Sequence, residues 1–359
     1  MTEKITLSWL NEPLAIPNQE MSRLAQTRQA QLTKPPGSLG QLEEIAIKLA
    51  ALQNTSQPCV EQVHIAIFAG DHGVAMEGVS AFPQSVTSEM IRNFARGGGA
   101  INVLARALGA SLEIINLGTV HDTQSLTGVQ HYHLGPGTEN FTHVPAMTWD
   151  QLNRALNVGF EVIERAQQNN KQLFIGGEMG IGNTTSASAL ACVLLNERPT
   201  LLTGSGTGLD SDGIARKINV ISEALSLHSP LVDSPLDALR RIGGFEIAAL
   251  TGAYIRGAQS GFPILIDGFI CTVAALTAEH ISPGCKNWFF YSHQSAESGH
   301  ARILNALDAK PLIALNMRLG EGSGAAIAYN LLNLACKLHN EMATFSEAQV
   351  SQKNLSSKP

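Results

Sequence analysis

The chain has 359 residues, of which 44% are hydrophobic and 15% are charged, and its formal net charge is -6. This is enough apolar material for one large core plus a smaller satellite, and no long Lys/Arg run exists to neutralise a nucleic-acid backbone. We therefore expect a compact globular protein with no nucleic-acid partner.

The N-terminal residues are too polar for a signal peptide, and no later run reaches about 18 apolar residues. We therefore expect no membrane span and a cytoplasmic location. The five cysteines are scattered and never form C-x-x-C, which argues against a disulfide framework and a zinc knuckle. His131 and His133 form an H-x-H pair, which alone is a weak indication of metal binding, and we expect no metal.

The two ends of the chain have helical patterns without strand signals, at residues 1–58 and again after Gly324. We predict that residues 1–58 and 325–350 form a small helical domain, that residues 59–324 form a large α/β domain, and that the polar tail 351–359 is disordered.

Apolar runs separated by helical patterns fill the middle of the chain. Continuous runs of this kind suit strands that are buried on both faces, so they predict an α/β fold with a mostly parallel sheet covered by helices. The runs lie at residues 64–70, 111–118, 171–177, 199–206, 262–270, 287–294 and 311–317.

Several of these runs end in glycine-rich or polar segments. Because ligands bind at the carboxyl ends of parallel strands, we expect the segments to converge on one site. The loops at residues 176–185 and 204–208 offer backbone N–H groups near helix starts, which can bind phosphate or simply form tight turns. Lys217, just beyond the second loop, is a candidate phosphate partner.

Several carboxylates follow strand-like runs. Glu321 lies between glycines before an Ala-rich helix. Desolvation there would raise its pKa, which suits a general base, whereas the positive end of the helix dipole would lower its pKa. Glu178 and Asp267 occupy equivalent positions and can bind ribose hydroxyls or orient a base. Asp71 and His72 can do similar work or satisfy a buried turn, and the role of His293 stays open.

Five motifs resemble the nicotinate-nucleotide:5,6-dimethylbenzimidazole phosphoribosyltransferase family of cobalamin lower-ligand synthesis. The resemblance covers residues 33 to 340, approximately. The motifs are TKPPGSLG (33–40), AGDHGV (69–74), GVSAFPQSVT (78–87), GEMGIGNTT (177–185) and LGEGSG (319–324).

The resemblance implies a Rossmann-like large domain, a small helical domain from both termini, a homodimer and no metal or redox cofactor. It implies that the substrates are nicotinate mononucleotide and a benzimidazole, and that Glu321 takes the benzimidazole N–H proton. Pro83, Ser85 and Leu319 would line the benzimidazole pocket, with Phe82 and Gln84 as neighbours. The residues implied on the ribose-phosphate and nicotinate side are Glu178, Gly180, Gly182, Gly206, Gly208, Lys217 and Asp267.

Two other classes of function also suit a parallel sheet with glycine loops. One is a nicotinamide-dependent oxidoreductase, against which the absence of G-x-G-x-x-G counts. The other is a non-catalytic nucleotide sensor on the same fold, which fold alone does not separate from an enzyme.

Overall fold

The structure, a computed structural model, describes residues 7–121, 123 and 126–351. Contacts divide the chain into two compact units. The larger contains the residues up to Ala15 together with Gln62–Ala328, and the smaller contains Ile16–Glu61 together with the residues from Tyr329 onward. The tail predicted to be disordered lies, from residue 352 onward, outside the described residues.

The larger unit contains a parallel sheet of six strands in the order β3-β2-β1-β4-β5-β6. This confirms the predicted α/β class with a parallel sheet flanked by helices. The strands are β1 (Val63–Gly70), β2 (Ser111–Gly118), β3 (Val129–His131), β4 (Leu173–Met179), β5 (Ile264–Ile266) and β6 (Phe289–Tyr291).

Strand β1 lies in the middle of the sheet and is buried along its whole length. Its apolar residues pair on both sides, as at Ile67, which lies opposite Ile114 of β2 and Gly177 of β4. The strand order reverses between β1 and β4, so crossover connections diverge there and leave a crevice at the carboxyl edge. This is the place where a ligand site is expected.

Helices flank the sheet and build the smaller unit. No helix within the described residues is both long and apolar enough to cross a membrane. In chain order they are α1 (Gln19–Gln31), α2 (Gln41–Leu52), α3 (Ser85–Ala95), α4 (Ala100–Leu108), α5 (Trp149–Gln168), α6 (Asn183–Leu195), α7 (Pro199–Leu202), α8 (Ser211–His228), α9 (Pro235–Ile242), α10 (Phe245–Ser260), α11 (Phe269–Ile281), α12 (His300–Ala306) and α13 (Ser323–Glu341).

Helices α5 and α10 pack closely on one face of the sheet. Helix α5 begins at a capping box, in which the Thr148 side chain accepts from the Gln151 backbone and the Gln151 side chain accepts from the Thr148 backbone. Gly159 of α5 lies against α10, where a Cβ atom would overlap the carbonyl oxygen of Ala249. The missing side chain therefore sets the separation of these two helices.

The smaller unit is helical, as predicted for the two ends of the chain. Asn18 caps α1 by accepting from the Glu20 backbone at 2.9 Å. The Arg28 guanidinium donates to the carbonyl oxygens of His339 and Asn340, at 2.6 and 2.8 Å, and so ties α1 to the end of α13.

Two of the predicted strands are wrong. Residues 199–206 form the short helix α7 followed by a loop, because Pro199 has the fixed φ that favours the first helical position. In 311–317, the structure gives only an isolated bridge between Ile313 and His293. The sequence also missed β3, and His133 leaves that strand with φ +46°, so the two histidines of the H-x-H pair do not alternate along a strand.

Candidate active site

One cavity of about 420 Å³ lies at the carboxyl edge of the sheet, within the larger unit. Its walls come from the segments that follow β4, β5 and β6, from α3, and from two loops near residues 206 and 320. The lining residues are Phe82, Val86, Met90, Glu178, Met179, Gly180, Ile181, Asn183, Thr184, Gly206, Thr207, Gly268, Phe269, Ile270, His293, Ser295, Glu297, Arg318, Leu319, Gly320 and Glu321. The segments after β4, β5 and β6 therefore meet at one cavity, whereas Asp71 and His72, which follow β1, do not line it.

Glu321 lies on the cavity wall in a tight turn. Its backbone has φ +61°, and the flanking Gly320 and Gly322 have φ +83° and +72°. Three successive left-handed residues carry the chain sharply into α13, and the two glycines adopt this conformation without a Cβ clash. A Cβ atom on Gly320 would also overlap a carboxylate oxygen of Glu178. The turn therefore brings these two carboxylates to the same wall.

Glu321 is 5% exposed. Burial raises its pKa, backbone N–H groups of Ile101 and Ala100 at the start of α4 oppose that rise, and the charge of Asp267 adds to it. Its Oε2 atom has no hydrogen-bond partner within the described part of the chain. A carboxylate with a raised pKa and an uncommitted oxygen is suited to accept a proton.

Glu178, at the end of β4, differs from Glu321 because its carboxylate is bonded to protein. The Asn183 amide donates to Oε2 from the start of α6. Burial raises the pKa of Glu178 well above its usual range, and the charges of Glu246, Asp267 and Glu321 raise it further. Glu178 is therefore a buried acid with little tendency to ionise.

Asp267 follows β5 and is not among the residues that line the cavity. Its Oδ1 accepts from the Ala325 backbone at 2.8 Å and lies 3.8 Å from Nδ1 of His293. Burial raises the pKa of Asp267, and the neighbouring His293 opposes the rise. Asp267 thus holds the start of α13 and lies close to His293, a side chain that does line the cavity.

Lys217 is completely buried in α8. Its Nζ donates to Thr184 Oγ1 at 2.7 Å, and Thr184 lines the cavity. Burial lowers the pKa of Lys217 to about 8, and the charge of Glu297 opposes this shift. Lys217 therefore lies behind Thr184 and not on the cavity wall itself. Arg318, which the sequence did not predict, is exposed and lies on the wall, where it donates to the Gly206 carbonyl at 3.2 Å.

Asp71 and His72, whose roles the sequence left open, are completely buried and lie outside the cavity lining. The His72 ring bonds Ser186 Oγ at 2.8 Å and Glu246 Oε1 at 2.6 Å. Asp71 Oδ2 accepts from the backbone after β2, at Val120, at 2.9 Å. His72 thus joins the loop after β1 to the starts of α6 and α10, Asp71 joins it to the segment after β2, and neither lines the cavity.

Part of the aromatic and aliphatic wall comes from α3 and the residues just before it, and another part comes from the start of α11, at Phe269 and Ile270. Phe82 and Leu319 line the cavity, as do Val86 and Met90 of α3, which the sequence reasoning missed. Four other predicted positions, Pro83, Gln84, Ser85 and Gly182, neighbour lining residues without being among them, and Gly208 lies just beyond the lining loop. Gln84 instead donates to the His72 carbonyl at 2.8 Å.

The described residues contain no group of three or more His, Cys, Asp or Glu side chains placed to hold a metal ion. The cations near the cavity are Lys217 and Arg318, and the acids on its wall are Glu178, Glu297 and Glu321. This arrangement can bind an anionic group at one end, accept a proton through Glu321 and stabilise positive charge between the acids.

Comparison with known proteins gives the same outcome by three routes. A family model described as phosphoribosyltransferase matches residues 14–350. A Xanthomonas oryzae pv. oryzae protein named nicotinate-nucleotide–dimethylbenzimidazole phosphoribosyltransferase is 57% identical over 343 residues, covering 96% of this chain and 98% of that protein. A Pseudomonas aeruginosa protein of the same name is 53% identical over 349 residues, covering 97% and 99%.

The fold is also similar to a crystal structure of the enzyme with that name from Thermus thermophilus. The TM-score is 0.88 and the sequence identity is 40%, with 94% of this chain and 100% of that chain covered.

Proposed function

The chain belongs to the nicotinate-nucleotide–dimethylbenzimidazole phosphoribosyltransferase family, and from this premise we propose how its residues carry out the reaction. The enzyme transfers the 5-phosphoribosyl group of nicotinate mononucleotide to 5,6-dimethylbenzimidazole and forms α-ribazole 5'-phosphate and nicotinate. The comparisons give no support to an oxidoreductase or a nucleotide sensor.

The chemistry requires one proton acceptor and no general acid. The pyridine nitrogen of nicotinate mononucleotide is quaternary, so it leaves C1' as a neutral ring nitrogen. The benzimidazole nitrogen forms the new bond to C1', and its other nitrogen loses the N–H proton. Displacement from the opposite face inverts C1', so a β-nucleotide gives an α-riboside.

Glu321 is the proton acceptor in this proposal. The observation that carries it is the uncommitted Oε2 of a buried carboxyl group on the cavity wall, whose pKa burial raises. Such a group binds a proton more readily than an exposed carboxylate does, and it also stabilises the positive charge that develops on the ribose. Glu178 is less suited, because Asn183 already occupies its carboxylate.

The two substrates occupy different parts of the cavity. We assign the benzimidazole to the apolar wall, where Val86 and Met90 join Phe82 and Leu319, with Pro83, Gln84 and Ser85 shaping its entrance. We assign the nucleotide to the side of Glu178, Gly180, Gly182, Gly206, Gly208, Lys217 and Asp267.

On the nucleotide side, Thr184 lies between Lys217 and the phosphate. Nζ of Lys217 donates to Oγ1 of Thr184 at 2.7 Å, and its positive charge attracts the phosphate from behind this residue. Asp267 acts indirectly, because it holds the start of α13 by a hydrogen bond and lies 3.8 Å from Nδ1 of His293. Gly182 and Gly208, with φ +99° and +105°, shape the two loops without lining the cavity.

We also propose that the enzyme is a cytoplasmic homodimer that needs no metal or redox cofactor and serves assembly of the nucleotide loop of cobalamin. The domain division at residues 58 and 325 stays a prediction. Light scattering of the purified chain would measure its mass, and a monomer at micromolar concentration would contradict the dimer.

The direct test is to incubate the protein with nicotinate mononucleotide and a panel of benzimidazoles, purines and phenols and to identify the products by mass. We expect a riboside phosphate and free nicotinate, formed in equal amounts. Hydride transfer, or binding of the nucleotide without release of nicotinate, would contradict the proposed function.

A further inference from the structure

Glu297 is a buried carboxylate whose function the proposed mechanism leaves open. It follows β6 in the loop before α12, is 8% exposed and lines the same cavity as Glu321. Within residues 7–121, 123 and 126–351, no backbone or side-chain group donates a hydrogen bond to its carboxylate. Such a carboxylate takes its hydrogen bonds from water or from a ligand in the cavity, because a carboxylate left without donors is costly.

The surrounding chain is built around this side chain. A Cβ atom on Gly204 would overlap Oε2 of Glu297, so the glycine leaves the space that the carboxylate fills. The Glu297 backbone is held on both sides, since its N–H donates to Ser295 Oγ at 3.3 Å and its carbonyl accepts from the His300 N–H at 3.0 Å. The backbone is therefore held where it places the side chain on the cavity wall.

The other acids on the wall have different surroundings. Glu178 is bonded to Asn183, and Glu321 faces the backbone N–H groups at the start of α4. Glu297 instead has the side chain of Lys217 nearby, whose pKa its charge raises. An ionised carboxylate only accepts hydrogen bonds, and its two oxygens match two adjacent hydroxyl donors.

We propose that Glu297 accepts hydrogen bonds from the ribose hydroxyls of the bound nucleotide and thereby selects a ribosyl over a deoxyribosyl donor. Of the groups on nicotinate mononucleotide, only these hydroxyls are neutral hydrogen-bond donors, because the phosphate and the carboxylate are anions. The proposal rests on the proposed function, which supplies the nucleotide.

The test compares nicotinate mononucleotide with its 2'-deoxy and 3'-deoxy analogues. We would measure kcat/KM for the wild type, Glu297→Ala and Glu297→Gln, with Glu223→Gln, an exposed position on α8, as the matched control. Deoxyribosides differ from ribosides in intrinsic reactivity. The informative quantity is therefore the fold-change in kcat/KM that a substitution causes with nicotinate mononucleotide, divided by the fold-change that it causes with a deoxy analogue.

We expect Glu297→Ala to lower kcat/KM for the ribosyl donor by about ten- to a hundredfold, as for a lost hydrogen bond to a charged group. The same substitution should change the rate with at least one deoxy analogue by less than about threefold. Glu297→Gln, which keeps one acceptor oxygen, should lie between, and Glu223→Gln should match the wild type.

Equal losses with all three donors would overturn the proposal and indicate that Glu297 acts only on Lys217 or the fold. If the variants do not fold, the dissociation constants of the three nucleotides for the wild type, measured without acceptor, decide instead, and equal values would overturn the proposal. If the wild type forms no product from the ribosyl donor, the proposed function itself fails.

Discussion

Replacing Glu321 with glutamine tests the proposed proton acceptor with little change of shape. The amide is nearly isosteric with the carboxylate, and its oxygen still faces the backbone N–H groups of Ile101 and Ala100. The turn should survive as well, because its left-handed geometry depends mainly on Gly320 and Gly322. We therefore expect the fold and nucleotide binding to stay nearly intact.

The expected loss follows from what the amide lacks. A general base contributes about 10²- to 10⁴-fold, so Glu321→Gln should lower turnover at least about a hundredfold. This corresponds to about 2.7 kcal/mol of lost transition-state stabilisation. Release of nicotinate under saturating substrates measures the rate, and a nucleotide dissociation constant close to that of the wild type is the control. Turnover within about threefold of wild type would refute the assignment, since it falls far below the base contribution.

A second acceptor separates proton transfer from electrostatics. A benzimidazole methylated on the nitrogen that normally loses its proton has no proton to remove. If Glu321 acts as the base, the wild type and Glu321→Gln should differ much less with this acceptor, provided that it binds. If the variant is equally impaired with both acceptors, Glu321 stabilises the ribosyl cation or holds the ring, and its role as proton acceptor is wrong.

Three further measurements test other parts of the site. Lys217→Met should weaken the nucleotide more than the benzimidazole, because a charge behind the phosphate is lost, and equal binding losses would make Lys217 structural. Because burial raises the pKa of Glu321, kcat/KM should rise with pH through a limb above the ordinary range of a carboxyl group and then stay high; a limb at the ordinary value would contradict this. Burial lowers the pKa of His300 from 6.5 to about 3. The stability that the neutral ring contributes is therefore complete above pH 6.5 and is lost as the pH falls from 6.5 toward the folded-state pKa. The denaturant midpoint should depend less on acid pH for His300→Gln than for the wild type, and an equal pH dependence would contradict the lowered pKa.

The hydrogen bonds of His300 supply the reason for that pH dependence. Its Nδ1 accepts from the Ser295 N–H at 2.8 Å, so the proton of the neutral ring is on Nε2, which lies 2.9 Å from Thr272 Oγ1. Protonation of Nδ1 would set two donors against each other in a buried place. The neutral form is therefore favoured in the folded state.

The sequence predicts the central strands well because burial on both faces requires continuous apolar runs. Strand β3 was missed because its three residues are only half-buried, and its place is set by pairing with β2. The run at 199–206 was misassigned because four apolar or small residues do not distinguish a strand from a helical turn, and Pro199 decides for the helix.

The site was predictable where it depends on topology. Parallel strands end at one edge, so Glu178 was expected there, and it lies on the wall. Glu321 lies on the same wall although the strand predicted before it does not form, because its turn into α13 brings it there. Val86 and Met90 were missed, although apolar residues four apart at the start of an amphipathic helix signal a common face. Arg318 and Glu297 carry no such signal, because their positions depend on how distant loops pack.

The buried acids at this edge of the sheet repel one another when ionised, and each has different neighbouring groups. Glu178, Asp267 and Glu321 each raise the pKa of a neighbour or have their own raised by one, so they do not all ionise readily in the same low-dielectric space. Oε1 of Glu246 lies 2.6 Å from Nε2 of His72, and Oδ1 of Asp267 lies 3.8 Å from Nδ1 of His293. Glu321 has only backbone N–H groups at the start of α4. If Glu321 takes the benzimidazole proton as proposed, its negative charge is lost, and the repulsion within this cluster of acids decreases.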